Sequence, residues 1–299
     1  MSVSLSFTQY PFVLHPRNIH NSPYNFEALI KAYPALAPFV HKNQHDNLTI
    51  DFSVNEAVIA LNRALLILHY RVGYWDIPAN YLCPPIPGRA NYIHHISDLL
   101  DAAIHKGSIV GLDIGVGANC IYPILGAQIY GWQMVGADID KTAVAGAQSN
   151  VDLTPKLENK IQIRHQSNKA HIFQGIIKEG EYYHFTMCNP PFHTSKEEAE
   201  KGTLRKLKNL HGIKHLALNF GGQANELWCN GGESLFIKRM IKESVGFKNQ
   251  VGWFTTLVSK KEHLPKIYKQ LQKLKAQYST VTMEQGNKQS RFVAWNFKL

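Results

Sequence analysis

The chain has few cysteines and no metal-binding pattern among its many histidines. Its four cysteines lie far apart and form no Cys-x-x-Cys pair, which argues against a structural zinc and gives no reason to expect disulfides. The fifteen histidines include no His-Glu-x-x-His sequence. His94 and His95 are adjacent on a predicted helix, where neighbouring side chains point in different directions. We therefore expect no bound metal ion.

The sequence also lacks a basic-then-apolar signal segment, an apolar run of 18 residues, internal repeats and low-complexity tracts. Its hydrophobic content of 44% and charged content of 18% are typical of a globular protein, and 299 residues can bury a large core. These features predict a soluble, cytoplasmic protein that has no membrane partner. We also expect it to be a monomer.

Acidic residues are scarce in two segments that hold the excess positive charge. The net charge of the chain is +10, and the two segments together carry more positive charge than this. One of them, residues 259–299, contains nine basic residues against two acidic ones. Residues 201–215 contain no acid, and their basic residues are Lys201, Arg205, Lys206, Lys208 and Lys214. Such concentration favours a polyanionic partner, and nucleic acid in particular, over a solvated lysine-rich surface.

Strands alternate with helices from about residue 108 onward. The apolar runs predict strands at 108–115, 132–140, 161–165, 182–188 and 251–259. A helix is predicted at 232–245, a basic helix at 263–277, and a closing pair of strands at 281–284 and 292–297. This order predicts an α/β fold with a parallel sheet closed by a C-terminal hairpin, which resembles the class I, Rossmann-like methyltransferase fold.

The part of the chain before this α/β region is predicted to be mostly helical. Helices are expected at 26–33, 55–70 and 91–105, the last after a loop rich in Pro and Gly at 75–89. We divide the chain into an N-terminal substrate-recognition extension, residues 1–105, and a Rossmann-like methyltransferase domain, residues 106–299.

The most informative motif is Asn189-Pro190-Pro191-Phe192, which follows the strand at 182–188. Two prolines cannot continue a ladder, so the motif ends the strand at the edge where open α/β sheets place ligands. An amide oxygen and a backbone carbonyl can accept two hydrogen bonds from one NH2 group, and Phe192 can stack on the ring that carries it. The motif therefore suits a planar amine such as N6 of adenine, although the same residues also form ordinary turns.

A glycine loop follows the first strand of the α/β region. Gly115 and Gly117 allow a tight turn, but Cys120 stands where the dinucleotide fingerprint requires a third glycine, which argues against NAD. A shorter loop suffices for S-adenosylmethionine, which has no pyrophosphate. Asp113 suits the amine-bearing end of that cofactor, directly or by orienting the loop, and Asp138 near the end of the next strand can accept the ribose hydroxyls.

These motifs occur within a resemblance that covers nearly the whole chain. The residues that carry it are Leu14-His15-Pro16-Arg17-Asn18, Pro87-Gly88-Arg89-Ala90-Asn91-Tyr92, Asp113-Ile114-Gly115-Val116-Gly117-Ala118-Asn119-Cys120-Ile121-Tyr122-Pro123, Asn189-Pro190-Pro191-Phe192, Asn230-Gly231-Gly232-Glu233 and Gln285-Gly286-Asn287. The chain resembles the bacterial 23S ribosomal RNA methyltransferases that modify one adenine at N6, and the related eukaryotic methyltransferase-like protein 16. The resemblance implies that Arg89, Gly115, Asn119, Asp138 and Asn189 contact S-adenosylmethionine or lie beside it. Asn168, from its position after the third strand, is a further candidate for the cofactor's adenine.

The resemblance predicts methyl transfer to N6 of an adenine in 23S ribosomal RNA, either as free RNA or in a large-subunit assembly intermediate. Asn189 and the Pro190 carbonyl would accept the N6 hydrogens while Phe192 stacks on the base. Residues 201–215 would grip nearby phosphates, and the N-terminal helices and the basic helix would hold more distant RNA. Trp75 and Tyr81 are further candidates for stacking, with a core position favoured for Trp75.

Three alternatives remain at this stage. A glutamine N5-methyltransferase acting on a protein would also receive a planar NH2 group, but it has no need of the basic segments. A DNA adenine-N6 methyltransferase would fit the same site. An RNA-binding protein without catalysis is the third alternative, against which the intact glycine loop, Asp138 and Asn189 argue.

Overall fold

The structure, a computed structural model, describes residues 14–79, 81–101, 108–191, 231–285 and 288–297, and this part of the chain contains seven α-helices, nine strands and four short 3-10 helices. The helices are α1 (Phe26–Ala32), α2 (Asn55–Tyr70), α3 (Ile86–Asp101), α4 (Ile121–Tyr130), α5 (Lys141–Asp152), α6 (Gly232–Ser244) and α7 (Leu264–Lys273). The strands are β1 (Val40–Lys42), β2 (Leu48–Ile50), β3 (Val110–Ile114), β4 (Gln133–Asp138), β5 (Ile161–His165), β6 (Tyr183–Cys188), β7 (Val251–Leu257), β8 (Gln277–Gln285) and β9 (Lys288–Asn296).

Seven of the strands form one sheet in the order β5-β4-β3-β6-β7-β9-β8. The first five are parallel, and β9 runs antiparallel to both β7 and β8. Asp113 on β3 lies opposite Gly136 on β4 and Met187 on β6, so these three strands end at the same edge. The predicted α/β fold with a C-terminal hairpin is confirmed.

Each face of this sheet buries its own apolar cluster. On one face, Leu65 of α2, Ile96 of α3 and Leu125 of α4 belong to a single cluster with sheet residues such as Phe185. On the other face, Met240 of α6 and Leu271 of α7 belong to a second cluster. The helices of the predicted N-terminal extension thus share one core with the sheet, which makes their packing part of what holds the site in place.

The structure corrects several predicted boundaries. Helix α3 begins at Ile86, so Arg89 lies in its first two turns and not in a loop. Pro87 does not prevent this early start, because a proline is tolerated in the first turn of a helix. The basic helix α7 ends at Lys273, before Lys275 adopts a left-handed conformation with φ 55°. Strands β8 and β9 have nine residues each and are longer than predicted.

The remaining differences lie near the N terminus and at the ends of segments. A hairpin of β1 and β2, closed by a turn at residues 43–46, occurs in the region that was predicted to be mostly helical, between the first two predicted helices. The end of the third predicted helix at 102–105 and the predicted turn at 286–287 lie outside the described residues. None of the helices in the described part of the chain combines the length and apolar character needed to cross a bilayer.

Candidate functional site

A cavity of about 470 Å³ opens at the carboxyl ends of β3, β4 and β6. The three strands are neighbours in the sheet, so residues far apart in sequence meet at this edge. Six residues predicted for the site line the cavity: Arg89, Gly115, Gly117, Asn119, Asp138 and Asn189. The structure therefore brings the glycine loop, the acid at the end of β4 and the amide after β6 into one space.

The glycine loop turns sharply over the end of β4. Gly115 and Gly117 have φ values of 76° and 62°, in the left-handed region that glycine adopts without strain. The backbone N–H groups of Gly115 and Val116 both donate to the Ala137 carbonyl, at 2.8 and 3.0 Å. A Cβ on Gly115 would meet no atom within 4 Å, so the backbone conformation is what favours glycine there. The loop is thus fixed against the neighbouring strand.

Asp138 at the end of β4 holds this loop. Its Oδ2 accepts from the Gly117 N–H at 2.9 Å, and its Oδ1 accepts from the Asp140 N–H at 3.0 Å. Burial raises the pKa of Asp138, and these backbone hydrogen bonds partly oppose that change. Each carboxylate oxygen keeps a second lone pair, so the group can still accept hydrogen bonds from a bound molecule in the cavity.

Asp113 lies beneath the loop rather than on the cavity wall. It is fully buried, and neither carboxylate oxygen has a hydrogen-bond partner among the described residues. Burial, and next the charge of Asp138, raise the pKa of Asp113 to about 8, while Arg89 opposes the rise. A buried carboxyl without partners is costly, so a cationic or hydrogen-bond-donating ligand would be favoured next to it.

Arg89 lines the cavity from α3. Its Nη1 donates to the Tyr122 hydroxyl at 2.6 Å, and its guanidinium carbon lies 5.3 Å from the centre of the Tyr122 ring. Its Nε is buried without a partner among the described residues. The guanidinium group is therefore oriented by Tyr122 and retains donors for an anion, such as a carboxylate, in the cavity.

Asn189 is delivered to the cavity by β6. Its Oδ1 is buried and has no hydrogen-bond partner among the described residues. The strand before it is tied to the next strand and to α3, because the Thr255 hydroxyl donates to the Thr186 carbonyl at 2.8 Å and also bonds to the Tyr92 hydroxyl at 2.7 Å. Asn189 thus presents a free acceptor from a well-held strand end.

The rest of the Asn-Pro-Pro-Phe motif is only partly described. Pro191 lines the cavity, whereas Pro190 is buried and does not. Phe192 lies outside the described residues, as do Lys201, Arg205, Lys206, Lys208 and Lys214 of the predicted RNA-binding segment.

Sequence reasoning missed one wall of the cavity, formed by the loop after β5 and by α6. Asn168 is exposed, accepts from the Ala170 N–H in a tight turn and does not line the cavity. Its neighbours Gln166 and Lys169 do. The sequence marked the end of β5 correctly, but the turn decides which of the following side chains faces inward.

Two side chains of α6 clamp this loop. The carboxylate of Glu243 accepts from the backbone N–H groups of Ile172, Phe173 and Gln174, at distances between 2.8 and 3.1 Å. Arg239 donates to two backbone carbonyls of the loop, those of residues 169 and 170, at 2.9 Å each. Because Ile172 and Arg239 line the cavity, α6 sets the shape of this wall.

We expect Glu243→Gln to loosen the clamp and weaken ligand binding in the cavity. Replacing the carboxylate removes charge-assisted hydrogen bonds, each worth about 1.5–3 kcal/mol. Titration of the purified variant with S-adenosylmethionine should show an affinity at least several-fold lower than that of the wild type. Glu179→Gln, an exposed substitution of the same kind, is the control, and equal affinities for both variants would contradict a role for the clamp.

Trp75 and Tyr81 support the site instead of facing solvent. Both are buried, which confirms the core position favoured for Trp75. The Trp75 indole donates to the Asn119 carbonyl at 2.8 Å, and the Tyr81 hydroxyl donates to Asp140 at 2.7 Å. Each ring therefore positions a segment that lines the cavity, and neither ring presents a face for stacking on RNA.

Three possible metal ligands, His15, His95 and Asp98, lie within 4.8 Å of one another in the described part of the chain. His15 Nδ1 accepts from the Arg17 N–H at 3.1 Å, so Nε2 carries the proton that it shares with Asp98 at 2.8 Å. Asp98 also pairs with the Arg17 guanidinium. These hydrogen bonds use His15 and Asp98, two of the three possible ligands, and they join the N-terminal segment to α3.

Comparison with known proteins gives consistent matches over almost the entire chain. The model of a family described as RNA methyltransferase matches residues 9–298. The ribosomal RNA large subunit methyltransferase F of Christiangramia forsetii is 61% identical over 284 residues, which cover 95% of this chain and 100% of the relative. The protein of the same name from Pectobacterium carotovorum subsp. carotovorum is 50% identical over 288 residues, with coverages of 95% and 93%.

Solved structures show the same fold. The catalytic domain of hMettl16 in complex with the MAT2A 3'UTR hairpin 6 aligns with a TM-score of 0.80 and 30% identity, covering 96% of this chain and 98% of that one. The N-terminal domain of human METTL16 in complex with SAH aligns with a TM-score of 0.77 and 28% identity, covering 96% and 99%.

Proposed function

This chain belongs to the RNA methyltransferase family, and we propose that it transfers a methyl group from S-adenosylmethionine to N6 of an adenine in 23S ribosomal RNA. The observation that carries the proposal is the buried Oδ1 of Asn189, which has no partner among the residues that the structure describes and lies in a cavity shared with the glycine loop. Relatives named for methylation of large-subunit ribosomal RNA support the substrate, and the SAH complex of human METTL16 supports the cofactor.

The residues of the cavity suit each part of that cofactor. S-adenosylmethionine supplies an electrophilic methyl group on a sulfonium. Arg89 provides a guanidinium fork for its carboxylate, and Asp113, buried beneath the loop, would lose its proton to become the anion near its ammonium group. Asp138 accepts hydrogen bonds from its ribose, while Gly115 and Gly117 let the backbone approach closely. Asn168 does not line the cavity, so we assign Gln166, which does, as the polar side chain beside the adenine of the cofactor.

The acceptor side of the reaction depends on Asn189. Adenine N6 is a poor nucleophile because its lone pair is delocalised into the ring. Asn189 Oδ1 and the Pro190 carbonyl would accept hydrogen bonds from the two N6 N–H groups and stabilise the positive charge that develops on nitrogen. Phe192 would stack on the base, and much of the rate would come from positioning. The base must be unpaired or flipped out to reach this cavity.

We further propose that RNA outside the cavity is held by positive charge. The five basic residues between 201 and 215 follow the motif directly in sequence and would grip phosphates beside the target base. The helices before residue 105 would contact more distant RNA. Such binding weakens steeply with salt, because each neutralised phosphate releases counterions.

The proposal is tested by incubating the enzyme with S-adenosylmethionine labelled in its methyl group and mapping the label. Three acceptors are compared: naked 23S ribosomal RNA, a large-subunit assembly intermediate and the assembled subunit. Label in N6-methyladenine at one position of 23S RNA is the expected result. Label on a glutamine side chain of a protein, or no label on any acceptor, would reject it.

A further inference from the structure

Helices α6 and α7 expose a set of basic side chains on the sheet face opposite α1, α2 and α3. This set, called here the lysine face, consists of Lys238, Arg239, Lys242, Lys266, Lys269 and Lys273. On α7 the three lysines follow one another at intervals of three and four residues, so they form a single stripe along the exposed side of the helix.

The acidic side chains of the two helices point away from this face. Glu233 is fully buried, accepts from the Ser259 N–H at 2.7 Å and bonds to His263 at 2.6 Å. Glu243 is held by the backbone N–H groups of the loop after β5. Helix α7 itself contains no acid. The positive charge of the lysine face is therefore not neutralised by carboxylates of its own helices.

The two helices form a fixed platform. The side chain of Gln270 donates to the Lys238 carbonyl at 2.8 Å and joins the exposed sides of α6 and α7. Beneath it, Leu264, Ile267 and Leu271 of α7 are buried against the sheet. Because the backbone of both helices is held in this way, a partner can bind the lysine side chains without any change of fold.

The lysine face is continuous with the active-site cavity. Phe236 and Arg239 of α6 line the cavity, while Lys238 and Lys242 lie on the exposed side of the same helix next to α7. A polyanion that enters the cavity at Arg239 could continue across α6 onto α7 and contact basic side chains along the whole path.

We propose that the lysine face binds the sugar-phosphate backbone of RNA that flanks the methylated segment, an inference that rests on the proposed function. Protein interfaces are enriched in aromatic residues and depleted in lysine, and α7 has no large apolar side chain among the exposed ones. Lysine ammonium groups act as point charges for phosphates, and such contacts fix register without reading sequence. RNA therefore fits this face better than a protein partner does.

The test compares Lys269→Gln/Lys273→Gln with a control, Lys156→Gln/Lys178→Gln, which removes the same charge from exposed positions outside the lysine face. The RNA is a 23S fragment that carries the target adenine and its flanking helices. We expect the α7 variant to bind it roughly tenfold more weakly at low salt, with the slope of log affinity against log salt reduced by about one per lysine. The control should match the wild type in both quantities.

A short oligonucleotide bearing only the target segment separates this proposal from the proposed function. Wild type and both variants should methylate it with equal kcat and KM, because it does not reach α7. If the α7 variant binds the long fragment like the control, the lysine face does not hold RNA. If affinity falls only for protein-containing ribosomal particles, the partner is a protein and the proposal is wrong. Failure of the wild type to methylate either RNA would instead count against the proposed function, while the affinity measurement would still judge the lysine face.

Discussion

Asn189→Ala should abolish methyl transfer and leave cofactor binding measurable. The substitution removes the side-chain oxygen that we assign to the N6 hydrogens, and losing one preorganised polar contact of this kind costs on the order of 100- to 1,000-fold in kcat. The carboxylate and ribose contacts assigned to Arg89 and Asp138 do not involve Asn189. Single-turnover methylation of the 23S fragment measures the first effect, and cofactor titration measures the second.

The control for this experiment is Asn159→Ala, which changes the same residue type at an exposed position away from the cavity. It should turn over like the wild type. Turnover by Asn189→Ala within a few-fold of the wild type would remove Asn189 from the mechanism. Loss of cofactor binding together with turnover would move its role from the acceptor to the cofactor.

Asp113→Asn should change how the stability of the cofactor-free protein depends on pH. Because the pKa of Asp113 is raised from 3.8 to about 8, the native state holds a proton that the unfolded chain has lost throughout that interval. The wild-type free energy of unfolding therefore contains a part that falls as pH rises from about 4 to about 8 and stays level above. The amide does not titrate, so the stability of the variant relative to the wild type should rise by about 1.4 kcal/mol per pH unit within this window.

Urea unfolding of both proteins at pH 5, 6, 7 and 8 measures that difference and cancels the other titrating groups. Asp152→Asn, the same substitution at an exposed position at the end of α5, is measured alongside as the control. A parallel course for Asp113→Asn would show that the buried carboxyl is ionised in the free protein. If the cofactor ammonium pairs with Asp113, saturating cofactor should flatten the difference and release a proton as it binds.

The sequence predicted the residues at the strand ends better than those on the helices. Asp138 and Asn189 were found because each follows an apolar strand, and parallel strands end at one edge of a sheet. Gly115 and Gly117 were predicted as site residues because two glycines directly after a strand indicate a tight turn. These signals are local, so a single sequence carries them.

Arg239 and Glu243 could not be found in this way, because they act on a loop about 70 residues earlier in the chain. In the sequence they are ordinary charges on an amphipathic helix, and only the packing of α6 against the loop after β5 gives them a role. The sequence predicted a role for Asp113 beside the cofactor. It could not predict that the carboxylate is buried on every side without a hydrogen-bond partner among the described residues, because no local sequence pattern indicates this. The boundary of α3 was missed because Pro and Gly signalled a loop where they occupy the first turn of a helix.

The neighbouring positions of β3 and β6 have a consequence for engineering. The two strands that end at the glycine loop and at Asn189 are adjacent, and adjacent strands lie about 4.8 Å apart. Backbone hydrogen bonds, rather than side chains, therefore fix the spacing between the glycine loop and Asn189, and under the proposed function the spacing between the two reactants. Substitutions in the wall can change which amine enters while leaving the alignment intact. Inserting one residue into β6 would shift its register and misalign the reactants even if every side chain of the site were kept.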